Sequence, residues 1–162
     1  VTLQQASGFS GKPQSYVPYF TQISDFVKKY QPAAKLYFHQ TWSYETDSAH
    51  PDFAFYNKDQ KEMYRRICDS AQMAARLIGA EIIPVGDAIQ YLRENVKEFD
   101  YSAGGLSLCR DGFHLSLLYG RFAAAAVWYK ALTGKTADIK AFARQNTEFD
   151  AALLNVIAEH CD

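Results

Sequence analysis

The chain lacks any long run of charge of one sign. It carries 17 lysines and arginines against 18 aspartates and glutamates, a formal net charge of −1 at pH 7. Without a basic patch, the electrostatic attraction that brings proteins onto nucleic acid or an anionic membrane is missing. We therefore expect neither nucleic acid nor a membrane as a partner.

Long apolar runs and paired cysteines are also missing. No stretch approaches the roughly 20 apolar residues needed to span a bilayer, and the N-terminus lacks the basic-then-apolar order of a secretory signal. The three cysteines Cys68, Cys109 and Cys161 show no C-x-x-C spacing, which indicates neither a disulfide framework nor a zinc ribbon. The four histidines share no spacing such as H-x-x-x-H, so we expect no metal site.

What the chain has is an alternation of strand-like and helix-like segments. Its 162 residues, 48% of them hydrophobic, suit one domain that buries about 70% of its unfolded surface. Apolar spacing predicts helices over 16–30, 56–78, 87–96 and 115–132, and strands over 1–5, 35–40 and 80–85. Gly79 and Gly134 are the expected helix stops. This order predicts an α/β domain over 1–162, with a mainly parallel sheet and helices on both faces.

Both ends of the chain carry expectations of their own. The chain begins at Val1 inside a β-rich segment with no initiating Met, and three strands are few for such a sheet, so we expect one or two N-terminal strands to be missing. A truncated sheet leaves a strand edge open, which predicts a homo-oligomer or pairing with the missing segment. Residues 136–162 are predicted to form a peripheral helical tail.

The segment that points to chemistry is Asp111-Gly112-Phe113-His114, a carboxylate three residues before an imidazole. Imidazole becomes an effective general base when a carboxylate accepts its Nδ1 proton, which fixes the tautomer and stabilises the imidazolium. A competing interpretation is structural, because Asp-Gly is a common turn pair and Asp accepts backbone N–H bonds.

Polar side chains follow the predicted strands, at the edge of the sheet where parallel strands place functional groups. This rim is predicted to hold Gln4, Gln5, Ser7, Gln40, Thr41, Trp42, Arg110, Asp111 and His114. A base, hydrogen-bond donors and a partly apolar wall suit acyl transfer. Trp42 fits a core position as well as the rim, whereas an arginine like Arg110 is more commonly a solvated surface residue than a substrate contact. His39 is expected to be a packed core histidine and His50 a loop residue.

The run Asp111-Gly112-Phe113-His114-Leu115-Ser116, with Gly120 six residues after His114, resembles the last conserved block of the SGNH (GDSL-like) hydrolases. Upstream, Leu3-Gln4-Gln5-Ala6-Ser7 is similar to the Gln-containing third block of sialate-esterase-like and uncharacterised bacterial members. Thr41-Trp42 follows a strand as in that uncharacterised group. In order, the resemblance covers roughly residues 1–134.

The resemblance implies a flavodoxin-like three-layer α/β/α sandwich that cleaves carboxylic esters, often acetyl groups on carbohydrates, without metal or organic cofactor. The substrate would be a small-molecule or carbohydrate ester. His114 would be the general base and Asp111 its orienting partner, with Gln4 or Gln5 as a substitute oxyanion donor. By the same analogy, the protein would be secreted or periplasmic.

The sequence departs from the family pattern at two places. No Gly-Asp-Ser or Gly-Asn-Ser stretch is present, and Gly8 stands where an asparagine is anticipated. Ser10, in Gly8-Phe9-Ser10-Gly11, only partly matches the G-x-S-x-G elbow, because the second glycine is one position early. Two hypotheses follow: a Ser-His-Asp hydrolase whose serine lies outside this chain, or a non-catalytic domain that binds a glycan or a protein.

Overall fold

A parallel sheet of three short strands organises the chain. The computed structural model describes residues 1–145 and 148–161. The strands are β1 (Thr2–Leu3), β2 (Tyr37–His39) and β3 (Glu81–Ile83), in the spatial order β1-β2-β3. Both pairings are parallel, and Phe38 lies opposite Leu3 on one side and Ile82 on the other. The predicted parallel sheet is therefore confirmed.

Six helices surround the sheet in the described part of the chain. They are α1 (Tyr19–Tyr30), α2 (Gln60–Ile78), α3 (Val85–Asn95), α4 (Tyr119–Thr133), α5 (Ile139–Gln145) and α6 (Ala151–His160). Short 3₁₀ turns lie at Ser7–Phe9, Pro13–Ser15, Pro51–Tyr56, Lys97–Phe99 and Tyr101–Ala103. Among the helices that the structure describes, none has both the length and the apolar character needed to cross a bilayer.

The helices end within one residue of the predicted positions, but α1, α2 and α4 begin later than predicted and α3 begins two residues earlier. Gly79 and Gly134 adopt the left-handed conformation just after α2 and α4, as expected of helix stops. The predicted start of α2 near residue 56 is wrong. Asn57 and Lys58 have positive φ angles of 56° and 55°, which no helix continues through. The helix starts only after Asp59, whose carboxylate accepts the N–H of Glu62 at 3.0 Å.

Alternate residues of the strands face opposite helical layers. Phe38 and Ile82 pack against α1 and α2, and buried alanines on α2 let that helix approach the sheet closely. Tyr37 and Ile83 face the opposite side, where α3, α4 and α6 pack. Full burial of a side chain such as Phe38 stabilises the fold by about 1.5–3 kcal/mol. The domain is thus an α/β fold with the flavodoxin-like, three-layer arrangement.

The tail contributes to the core of the second layer. Two helices replace the single predicted one, and α6 packs against α3 and α4. Its Leu154 and Ile157 are fully buried among the side chains of those helices. The last described helix therefore helps to cover the sheet.

Candidate functional site

The Asp111–His114 segment forms a tight turn closed by backbone hydrogen bonds. Cys109 and Leu115 form an isolated antiparallel bridge, and the N–H of Arg110 donates to the carbonyl oxygen of His114 at 2.9 Å. Asp111 Oδ1 accepts the backbone N–H of His114 at 2.8 Å and that of Phe113 at 3.3 Å. Asp111 therefore has the turn-forming role that the structural interpretation predicts.

The same carboxylate also holds the imidazole. Oδ2 of Asp111 lies 2.8 Å from Nδ1 of His114, and the two side chains are 40% and 54% exposed. Partial desolvation raises the pKa of Asp111, but the hydrogen bonds from the His114 ring and from the two backbone N–H groups outweigh it and lower the pKa to about 2. An ionised carboxylate only accepts hydrogen bonds, so Nδ1 carries the proton, and in the neutral ring Nε2 has the lone pair.

Nε2 of His114 is the atom that can take a proton from a reacting group. Across residues 1–145 and 148–161, no side-chain hydroxyl is hydrogen-bonded to it. The pair is therefore an oriented base without a nucleophile from the described residues. Arrangements of this kind serve general acid–base catalysis.

Trp42 connects the loop after β2 to the turn. Its Nε1 donates a hydrogen bond of 2.7 Å to the carbonyl oxygen of Phe113, the residue before His114. The indole is partly buried and meets the His39 ring edge-on, with centroids 6.3 Å apart. Trp42 thus joins the core and the site, which combines the two interpretations that the sequence left open.

An aromatic wall stands beside the imidazole. The Phe113 ring lies 4.1 Å from the His114 ring, 4.7 Å from the His50 ring and 5.8 Å from the Tyr44 ring, measured between centroids. Sequence reasoning missed Tyr44 and treated His50 as an ordinary loop residue. The available signal was the presence of aromatic rings in an otherwise polar loop, 41–51.

The residues after β1 divide between this wall and other partners. Ser7 Oγ lies 2.9 Å from the hydroxyl oxygen of Tyr44, so Ser7 joins the wall. The amide of Gln5 instead donates to the carbonyl oxygen and the hydroxyl of Ser15, at 3.1 and 3.0 Å. Gln4 is exposed. The roles predicted for the two glutamines as oxyanion donors stay predictions.

Gln40 lies at the junction between β2 and α3. Its Nε2 donates to Asp87 Oδ1 at 2.8 Å, and its Oε1 accepts the backbone N–H of Asp87 at 3.1 Å. The side chain is buried. Both ends of its amide are occupied by the start of α3, so the structure does not bring Gln40 to the Asp111–His114 turn. Gln40 is therefore not part of the predicted rim, because its side-chain amide is hydrogen-bonded to Asp87.

Arg110 flanks the pair. Its Nε lies 3.8 Å from Asp111 Oδ2, and its side chain is 45% exposed. At this distance and exposure the guanidinium contributes a weak, solvent-screened attraction. Arg110 thus stands beside the carboxylate with most of its donors open to solvent, and its predicted contact with substrate stays a prediction.

Gly8 and Ser10, the two positions compared with the family pattern, are both packed into the loop after β1. A Cβ added to Gly8 would overlap the Asp52 side chain, so an asparagine there requires Asp52 to move. The Ser10 hydroxyl is buried, donates to the carbonyl oxygen of Ala6 at 3.0 Å and accepts from Thr41 Oγ1 at 2.7 Å. Ser10 is therefore a packing and turn residue, not an exposed nucleophile.

A small polar cavity of about 360 Å³ lies behind the turn, on the side of Asp111. Its lining includes Glu45, Asp47, Tyr101, Arg110, Asp111 and Gly112. His114 does not line this cavity, and its side chain is largely exposed. Among the described residues, no three His, Cys, Asp or Glu side chains cluster closely enough to hold a metal ion.

Comparisons with known proteins place the chain among relatives of similar fold. The model of the domain of unknown function DUF4886 matches residues 1–160. A DUF4886 protein from Bacteroides uniformis has a crystal structure that covers 99% of this chain, with a TM-score of 0.84 and 30% identity. The chain spans 59% of the length of that protein. No curated protein matches the chain.

A second solved structure is more distant. It comes from a protein of Slackia heliotrinireducens that is described as a candidate SGNH hydrolase. It matches 82% of this chain and 64% of its own length, with a TM-score of 0.57 and 21% identity. At this identity the likeness concerns the fold.

Proposed function

The chain belongs to the DUF4886 family, and on that premise we propose that it supplies the histidine–aspartate part of a serine-dependent ester hydrolase of the SGNH type. The observation that carries the proposal is the 2.8 Å hydrogen bond between His114 Nδ1 and Asp111 Oδ2 on an exposed turn. A carboxylate and an imidazole joined in this way, with Nε2 turned free, match the base and the orienting acid of a catalytic triad.

The chemistry assigned to the pair is proton transfer. As a serine hydroxyl attacks the ester carbonyl carbon, Nε2 of His114 takes the hydroxyl proton, and Asp111 stabilises the imidazolium. When the tetrahedral intermediate collapses, the same proton passes to the leaving alkoxide, which departs as the alcohol. Water then repeats the sequence on the acyl-serine and releases the carboxylic acid.

The nucleophile in this proposal is a serine outside the present sequence. No described side-chain hydroxyl is hydrogen-bonded to the His114 ring, and the buried Ser10 hydroxyl is held by Ala6 and Thr41. The relative from Bacteroides uniformis is longer than this chain, which leaves room in such a protein for a further block.

The substrate class rests on the resemblance to the SGNH hydrolases. It comprises carboxylic esters, with O-acetyl groups on carbohydrates as the specific candidate, and it carries with it a secreted or periplasmic location. Beside the base, the partly exposed rings of Phe113 and His50, with the buried ring of Tyr44 packed against them, offer an apolar surface that suits the acyl or sugar face of such an ester.

The test is labelling of the longest natural form of the protein with a fluorophosphonate probe, together with turnover of aryl acetates. We expect one labelled serine, and we expect His114→Ala to abolish labelling and to lower kcat about 10²–10⁴-fold, as loss of a general base does. His160→Ala, which changes a histidine on α6 remote from the turn, is the control and should behave like the wild type.

An unlabelled protein whose ester turnover is the same in His114→Ala as in the wild type would defeat the proposal. That result would favour the second hypothesis, a domain that binds a glycan or a protein without chemistry.

A further inference from the structure

We infer that Arg93 and Glu45, a buried ion pair beneath the turn, are positioning residues that hold Asp111 and His114 in their hydrogen-bonded geometry. Neither residue was singled out from the sequence. The catalytic consequence of this inference rests on the proposed function, but its structural content can be measured without any activity.

The pair is withdrawn from solvent. Arg93, on α3, has a side chain that is 4% exposed, and the Glu45 side chain is 2% exposed. Nη2 of Arg93 donates to the Glu45 carboxylate. Nη1 donates to the carbonyl oxygen and the hydroxyl of Ser43, at 3.0 and 3.1 Å. The Arg93 guanidinium thus links the loop that follows β2 to helix α3 by hydrogen bonds.

The same guanidinium reaches the start of the turn. Nη2 of Arg93 lies 3.4 Å from the Sγ atom of Cys109, the residue that bridges to Leu115 and closes the turn. Arg93 therefore contacts both the loop after β2 and the segment that leads into Asp111. A lysine cannot reproduce this, because its single ammonium lacks the planar fork that reaches several acceptors at once.

Glu45 is tied directly to the middle of the turn. Its backbone N–H donates to the carbonyl oxygen of Gly112 at 2.8 Å, and its carbonyl oxygen accepts the N–H of Ser48 at 3.0 Å. Ser48 in turn packs against the α-carbon of Gly112, where an added Cβ would lie 3.1 Å from Ser48 Cα. The carboxylate held by Arg93 thus belongs to the residue whose backbone supports the turn.

Stability alone is a weak reason for such a pair. Replacement of a buried ion pair by apolar side chains of similar volume is often neutral or stabilising, since two charges lose their hydration on burial. Here the cost is increased because Nε of Arg93 has no hydrogen-bond partner among the described residues. What the apolar replacement cannot provide is a directional connection from α3 to both loops, which is the function that we assign to the pair.

The experiment reads the His114 ring directly in the intact protein, by long-range ¹H–¹⁵N correlation of labelled imidazoles, with His114→Gln to assign the signal. In the wild type we expect one tautomer, protonated at Nδ1. In Arg93→Lys, in Glu45→Gln and in the double variant Arg93→Met with Glu45→Met, we expect a mixture of tautomers. Ester turnover should fall about 10²-fold in kcat with little change in KM, as misplacement of a catalytic group does.

A matched control separates positioning from general destabilisation. Ile78→Val removes one methylene in the layer between α1, α2 and the sheet, away from the turn. It should lower the melting temperature but leave the His114 tautomer unchanged. The double methionine variant should keep the fold, judged by its melting temperature, and still lose the single tautomer.

The outcomes distinguish this inference from the proposed function. A folded double variant with the wild-type tautomer would overturn the inference, whatever happens to ester turnover. Unfolding of all three variants would assign the pair to the stability of the whole domain and reject it as well. A changed tautomer in a protein that cleaves no ester would support the positioning role and count against the hydrolase.

Discussion

Nε1 of Trp128 donates a hydrogen bond of 2.8 Å to Nδ1 of His39, which joins helix α4 to the middle strand of the sheet. Because Nδ1 accepts, the neutral ring carries its proton on Nε2. His39 is buried, and burial lowers its pKa from 6.5 to about 4. The expectation of a packed core histidine is thus met, and the residue couples the fold to pH.

The first prediction is that His39 makes the protein more stable above pH 6.5 than at pH 4. Its pKa is lower in the folded state than in the unfolded state, so the unfolded chain binds the proton more readily between these values. Stability is fully present above about pH 6.5 and is lost as the pH falls toward 4, by about 3 kcal/mol at most.

Urea unfolding of the wild type and of His39→Gln, at pH 7 and pH 4, checks this prediction. The glutamine oxygen can still accept from Trp128 but does not titrate, so the variant should lose less stability on acidification. His160→Gln serves as the control. Equal losses in the wild type and in His39→Gln would contradict the assignment.

The second prediction concerns Asp111. Because its pKa is lowered to about 2, the carboxylate stays ionised down to pH 4 and holds Nδ1 of His114 throughout that range. Asp111→Asn should therefore lower kcat for ester cleavage about 10⁴-fold, since an amide allows the wrong tautomer. The measurement is steady-state kinetics on the intact protein above pH 6. Asp69→Asn, an exposed change on α2, should leave kcat unaltered.

The third prediction uses two glycines with similar backbones and different surroundings. Gly112 has a φ of +84° and lies against Ser48, whereas Gly104 has a φ of +90° and has open space where a Cβ would stand. Gly104→Ala should cost about 1 kcal/mol of unfolding free energy, from the backbone alone. Gly112→Ala should cost about 2 kcal/mol or more, because steric strain is added.

Chemical denaturation measures both glycine variants, and the His114 imidazole spectrum shows the effect on the turn. Only Gly112→Ala should change that spectrum. Equal costs for the two variants would mean that the loop around Ser48 yields freely and does not define the turn.

The fourth prediction is that α6 is part of the core. Leu154 is fully buried between α3, α4 and α6, so Leu154→Ala should destabilise the protein by about 2–5 kcal/mol. Leu132→Ala, at an exposed position of α4, should change the free energy of unfolding by less than about 0.5 kcal/mol. A small effect at Leu154 would show that the tail packs loosely.

Local features of this fold were predictable from sequence, and features made by distant residues were not. The stops at Gly79 and Gly134 depend on the conformation of a single residue, so the prediction succeeded. The start of α4 was predicted too early, because the N–H of Ser116 donates to the carbonyl oxygen of Leu108 and draws 115–116 away from a helical path. No periodicity of side chains reports such a contact.

The candidate site likewise has features that were predictable from sequence and features that were not. Asp111 and His114 are three residues apart, so their pairing needed only a turn. The partners of Gln40 and Gln5 were not visible, since Asp87 lies 47 residues from the first and Ser15 lies 10 residues from the second. From the sequence, the side-chain amide of either glutamine fits the rim equally well. Only the packing of the loops determines which partner each amide binds.

The amino-acid sequence alone determined the α/β alternation and the local pairing of a carboxylate with an imidazole, because each depends on residues close along the chain. The parallel sheet followed from that alternation, because strands separated by helices pair in parallel. Only the tertiary structure decided that Arg93 and Glu45, 48 residues apart, lie together beneath that pair and that Phe113, His50 and Tyr44 stand beside it. These contacts form when strands and helices pack, and their geometry depends on the whole fold.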